Sequence, residues 1–169
     1  WRPEFYAREL DAIFRRAWLC VGRVDQAAKP GQFFTKKIPT FDLSILIVRG
    51  KDGALRAFHN VCQHRGNHVE LRDRGQCVGF TCPFHGWTFR NDGSLLKVKD
   101  PEGAGYPDTF NQEGSHDLTK VRFDSYRGFL FGSINDDVVP LAEHLGDSTK
   151  VIDLLVDQSP DGLEVLRGS

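Results

Sequence analysis

Residues 62–87 read CQHRGNHVELRDRGQCVGFTCPFHGW. The stretch holds a Cys and a His one residue apart, Cys62 and His64, and then a Cys and a His two apart, Cys82 and His85. Seventeen residues separate His64 from Cys82, enough for a hairpin that brings the two short loops together. Four soft-to-borderline donors in a two-plus-two set suit zinc or an iron–sulfur cluster, not magnesium or calcium. The order of the donors separates these two. A zinc finger usually takes both Cys from one knuckle and both His from a helix. Here each loop carries a mixed pair, which suits a [2Fe–2S] centre with two Cys on one iron and two His on the other.

Gly66 and Gly86 follow the two His-bearing turns, where the backbone must curl tightly and let amide N–H groups approach bridging sulfides. Glycine does both without a Cβ penalty, and such N–H bonds tune a cluster. A structural zinc site is the alternative, since spacing alone can mislead.

The rest of the composition is that of an ordinary soluble globular domain: 169 residues, 40% hydrophobic and 27% charged. A net charge of −1 gives no sign of a nucleic-acid partner or an anionic membrane surface. No apolar run approaches a membrane span, and Trp1-Arg2-Pro3 is not a signal peptide. A cytoplasmic setting is the default. The chain has no Met, which suggests that it begins inside a longer one. Four Cys are too few for a disulfide scaffold. Beyond the two ligand candidates, Cys20 and Cys77 are expected to be small buried hydrophobes.

Leu10, Ile13, Phe14, Ala17 and Trp18 form one apolar stripe at helical spacing, so an amphipathic helix is expected from about Pro3 to Leu19, with Gly22 as its stop. After Pro30-Gly31 the texture changes to strands: GQFFTKKI, FDLSILIVR and ALRAFHN, the last two joined across Gly50-Lys51-Asp52-Gly53. Leu43 to Val48 should be a buried strand. CVGFT leads into the second ligand loop, WTF leads out, and a turn at Asn91-Asp92-Gly93 precedes SLLKV. VRFDSYRGFLFGSI closes the β region with a bend at Gly128. Antiparallel sheets in a sandwich or small barrel follow, a mostly β fold with short C-terminal helices. One of those opens at Pro140, and Ser148 caps another running through Val156. Residues 100–116, rich in Gly and Pro, form a loop long enough to be functional. SPDGLEVLRGS reads as the first strand of a following domain.

CQHRG followed by CPFHGWTF resembles the Rieske signature in the large subunit of aromatic ring-hydroxylating dioxygenases. SLLKVKDPEGAGYPDTF, GSHDLTKV, SYRGFLFGS and SPDGLEVLRGS resemble the benzoate, toluate and halobenzoate branch. The resemblance implies a Rieske [2Fe–2S] cluster on Cys62, His64, Cys82 and His85. It implies a flavin and iron–sulfur reductase as electron donor, NADH as the ultimate reductant, and cis-dihydroxylation of an aromatic carboxylate with O2. It implies neighbouring large subunits, a possible small beta subunit, and electron exit through His85. A Pro of the 100–116 loop, Pro101 or Pro107, would help shield the cluster. The division expected is a helical segment over 1–30, the Rieske domain over 31–139, and a linker with the start of a catalytic domain over 140–169.

The family's second metal, a mononuclear Fe(II), takes two His and a carboxylate in a D-x-x-H-x4-H pattern. His59 and His64 have the right separation, but Arg56 stands three before His59 and His64 belongs to the cluster. That iron is expected only in a following domain. His59 and His68 are expected at the surface or behind the ligands, and His116 and His144 have no partner in sequence. A free Rieske ferredoxin is the alternative, which the N-terminal helix and the SPDGLEVLRGS tail oppose. A Rieske monooxygenase or demethylase shares the same cluster half. The cytochrome bc type would carry Cys where Asn67 and Phe84 stand.

Overall fold

The structure, a computed structural model, describes residues 2–166, the side chain of Glu113 excepted. Helix α1 covers Pro3–Ala12; the strands are β1 (Leu19–Arg23), β2 (Gln32–Ile38), β3 (Leu43–Arg49), β4 (Leu55–His59), β5 (Arg74–Gln76), β6 (Gly79–Thr81), β7 (Thr88–Arg90), β8 (Leu95–Lys97), β9 (Arg122–Tyr126) and β10 (Phe129–Ser133). Helices α2 (Leu141–Leu145) and α3 (Ser148–Asp157) follow. The strands form three open antiparallel sheets, ordered β4-β3-β2-β5, β6-β7-β8 and β1-β10-β9, and none closes into a barrel. Two compact units result, 27–120 and a second made of 1–26 with 121–169. Among the described residues no helix is long and apolar enough to cross a membrane.

Unit 27–120 is two sheets over one core. Residues 44–48 of β3 are all buried, as the apolar run requires of a strand covered on both faces. One face contributes Phe33, Leu46, Val48 and Phe58 to a core completed by Phe80, Trp87, Phe89 and Leu95 from the β6-β7-β8 side. Phe33 meets Phe80 edge to face at 5.3 Å. Cys62 and Cys82 belong to the same core, so the ligand loops grow out of its edge.

Asn60, 1% exposed, brackets the first ligand loop. Its Nδ2 donates to Ser44 Oγ at 3.1 Å and to the Glu70 carbonyl at 2.7 Å, and its Oδ1 accepts from the Glu70 N–H at 2.9 Å. Glu70 in turn holds Arg72 through two side-chain bonds of 2.9 and 2.7 Å. Burial pushes the Glu70 carboxyl up, but the Arg72 guanidinium and N–H groups outweigh it and hold the pKa below the ordinary value. A depressed carboxyl stabilises the fold above its unfolded pKa, about 4.3, and that contribution disappears as pH falls through the lower folded value. Glu70→Gln should therefore cost about 1–2 kcal/mol at neutral pH. Urea denaturation from pH 7 down to pH 3 should show the wild-type and variant midpoints converging; a constant gap would remove the ion pair as the cause.

In the other unit, β1 pairs with β10 and β10 with β9. Trp18, Phe131, Val138 and Leu141 make its small core, and Trp18 Nε1 donates to the Val139 carbonyl at 2.8 Å. That contact overrides the expected helix. Burying Trp18 and pairing Leu19–Arg23 with β10 need extended backbone, so the helix ends at Ala12 and a 3₁₀ turn over Phe14–Arg16 leads out. Ile13 and Phe14 of the stripe are 55% and 41% exposed, and Gly22 lies inside β1 rather than at a helix end. Cys20, expected inside, is exposed on that strand. Asp147, not Ser148, is the N-cap of α3. Strands β9 and β10 belong to this unit. Residues 163–166 carry no strand, and the remainder of SPDGLEVLRGS lies outside the described residues.

Candidate metal centre

The two ligand loops are copies of one backbone design. The Cys62 N–H donates to the Asn67 carbonyl at 2.8 Å, and the Gly66 N–H to the Cys62 carbonyl at 3.0 Å. In the second loop the Cys82 N–H donates to the Trp87 carbonyl at 2.8 Å, and the Gly86 N–H to the Cys82 carbonyl at 3.0 Å. Gly66 and Gly86 have φ of 77° and 72°, the left-handed region expected of them. Each sulfur faces the backbone N–H groups two and three residues on: His64 and Arg65 for Cys62, Phe84 and His85 for Cys82.

The loops bring the donors together as two like pairs. The Cys62 and Cys82 side chains hydrogen-bond each other, and the imidazoles of His64 and His85 meet edge to face at 4.6 Å. Among the described residues no three His, Cys, Asp or Glu converge on one point that could hold a single ion. Two thiolates on one side and two imidazoles on the other match a two-metal cluster, each metal taking two protein donors, better than a tetrahedral zinc cage. His64 Nδ1 is buried with no hydrogen-bond partner, the state of a nitrogen reserved for a metal.

Electrostatics prepares the donors unequally. Burial pushes the Cys62 thiol up to about 11, against its neighbouring N–H groups. Cys82 feels the same burial, but the Phe84 and His85 N–H groups, the Cys62 thiol and Asn67 bring it below the ordinary thiol value. Asn67 Nδ2 lies 4.0 Å from Cys82 Sγ, so one residue of the first loop reaches the second. Burial, then His85, then Arg65 keep His64 below the ordinary imidazole value, in the neutral form a metal requires.

The remaining histidines fall apart from this group. His68 is exposed, and His59 is half-buried on β4, with its N–H donating to the Thr119 carbonyl. His116 is the exception. It lies against Trp87, 5.7 Å between ring centroids, together with Tyr106 and Phe110 of the long loop. Trp87 itself stacks on His64, at 4.8 Å and 13°. Pro101 and Pro107, the expected shields, are exposed; the side chains that turn inward are Tyr106 and Phe110. Sequence reasoning passed over Trp87 and these two rings. The signal was the aromatic character of Tyr106 and Phe110 in a loop otherwise made of small and polar residues.

Comparison with known proteins agrees with this geometry. The Rieske [2Fe-2S] domain family matches residues 17–111. Toluate 1,2-dioxygenase subunit alpha of Pseudomonas putida is 53% identical over 168 residues, covering 99% of this chain and 37% of the relative. The 2-halobenzoate 1,2-dioxygenase large subunit of Burkholderia cepacia is 46% identical over 95% of this chain and 34% of its own length. The crystal structure of naphthalene 1,2-dioxygenase from Rhodococcus sp. superposes with a TM-score of 0.85 at 31% identity, over 98% of this chain and 37% of that one. The chain thus spans little more than a third of these relatives. It belongs to the Rieske [2Fe-2S] family, in the form carried by the large subunits of aromatic ring-hydroxylating dioxygenases.

Proposed function

We propose that Cys62 and Cys82 hold one iron and His64 and His85 the other, and that the chain is the electron-transferring portion of an aromatic-carboxylate dioxygenase large subunit. The repeated backbone design of the two ligand loops carries this reading. The cluster supplies reversible one-electron transfer. The chain's own residues supply the rest: two thiolates and two neutral imidazoles, N–H groups aimed at the sulfurs, and a core that keeps water from one side. His85, half-buried beside exposed Phe84, is the open side from which electrons leave. For function we divide the chain into a segment 1–30, a cluster domain 31–139 and a linker 140–169, because all four donors and the 100–116 loop fall in the middle part.

In the whole protein, in a cytoplasmic setting, electrons from NADH would arrive through a flavin and iron–sulfur reductase and pass to a mononuclear Fe(II) in a catalytic domain. That iron would carry out O2-dependent cis-dihydroxylation of an aromatic carboxylate, in an assembly of large subunits with a small beta subunit. The identity to a toluate enzyme supports the substrate class.

Freshly isolated protein should contain two irons per chain, with visible absorption and, after anaerobic reduction, the low average g-value of mixed Cys/His ligation. Stoichiometric zinc with no visible absorption would falsify the assignment. Supplied with reductase, NADH and benzoate, this chain alone should be reduced yet form no diol. Product above a protein-free control would mean that the reacting iron is held within these 169 residues.

A further inference from the structure

The two imidazoles have unlike surroundings. His85 lies against Phe84, ring centroids 3.9 Å apart, and Phe84 is 63% exposed. His64 lies flat on Trp87, which is 3% exposed. Trp87 also meets the rings of Tyr106, Phe110 and His116, each steeply inclined to it, at 6.1, 5.4 and 5.7 Å. These three are bound to one another: Phe110 stacks on His116 at 4.1 Å and touches Tyr106 at 4.2 Å. The His116 ring is held at Nδ1 by Ser115 Oγ, 2.9 Å away, and the His116 backbone N–H donates to Asn111 Oδ1 at 3.0 Å. The Trp87 carbonyl also accepts the Cys82 N–H, so the residue touches both ligand loops.

Resting on the ligand assignment above, we propose that Trp87 is a positioning residue for the cluster, and that the 106–116 segment is a strap that clamps it. Both imidazoles are half-buried. Trp87 fixes the plane of His64 and shields the ring face it covers from water, while the ring beside His85 is the exposed Phe84. A residue behind a metal ligand sets its orientation and the solvent access that tunes potential. Removing the indole would let water reach the His64 side. The reduced cluster carries one more negative charge and gains more from that solvation, so the potential should rise.

The test uses the iron-loaded chain and reads midpoint potential, EPR g-values and the rate of iron release to a chelator. Trp87→Leu should raise the potential, shift the g-values and speed iron release about tenfold. Trp87→Phe keeps a ring on His64 and should return most of the wild-type values. Phe110→Ala and His116→Ala touch no ligand, yet should move the potential the same way by less. Asp108→Ala, exposed in the same loop, should move nothing. A Trp87→Leu chain that melts earlier but keeps the wild-type potential and g-values overturns the positioning role and leaves the ligand assignment standing. A wild-type chain without a two-iron signal overturns both. If Trp87→Leu does not fold, unchanged potentials in Phe110→Ala and His116→Ala overturn the strap.

Discussion

Cys82→Ala should strip the chain of its cluster, leaving under about a tenth of the wild-type iron, since even an outer-shell change costs 10–100-fold in metal affinity. On the proposed ligation, with two protein donors per iron, the loss of one thiolate would leave Cys62 as the one protein donor to its iron. Water cannot easily replace the missing sulfur, because Cys82 is 2% exposed inside the core. Both sulfurs also face backbone N–H groups that favour the thiolate, those of Phe84 and His85 for Cys82 and those of His64 and Arg65 for Cys62. Cys77→Ala is the matched control. Cys77 is half-buried against the same core, five residues upstream, and is a free thiol outside the paired donors. Iron analysis and the visible spectrum of both variants decide the matter. Retained colour in Cys82→Ala together with loss in Cys77→Ala would mean that the wrong thiol has been assigned.

What made the candidate centre legible is that ligand chemistry is local. Cys62 with His64, and Cys82 with His85, are recognisable because a metal demands particular side chains at short spacing, and the glycine after each pair marks the curl. Strands β2, β3 and β4 were legible for a related reason, since apolar runs between turn residues describe one strand at a time. The larger failures are long-range. Strand β1 has its pairing partner more than a hundred residues away, and its fate depends on Trp18 reaching Val139. Helical spacing over Leu10, Ile13 and Phe14 was real, but Trp18 settled which conformation won. The three residues of β5 include no apolar side chain and owe their strand to pairing with β2. The ring cluster of Trp87, Tyr106, Phe110 and His116 joins a ligand loop to a distant surface loop, and no local pattern encodes that meeting.

Gly93→Ala should destabilise unit 27–120 by about 3–5 kcal/mol, summing overpacking and backbone strain. Gly93 closes the turn between β7 and β8 with φ of 91°, where a side chain is rarely accommodated. A Cβ there would stand 2.8 Å from Phe58 Cζ and closer still to its Cε1. Phe58 cannot retreat: it is 1% exposed and belongs to the core that includes both ligand cysteines. Nor can the turn swing outward, since the Gly93 carbonyl accepts the Leu118 N–H at 2.9 Å and the Ser94 N–H is tied to Asp92 Oδ1 at 2.9 Å. Thermal or urea unfolding of the variant measures the loss. Phe58→Leu removes the ring that the new methyl meets, so the double variant should be less unstable than the sum of the two single changes. Strict additivity would place the whole cost in the backbone of the turn, and a Gly93→Ala midpoint equal to that of the wild type would show that the β7–β8 turn shifts freely.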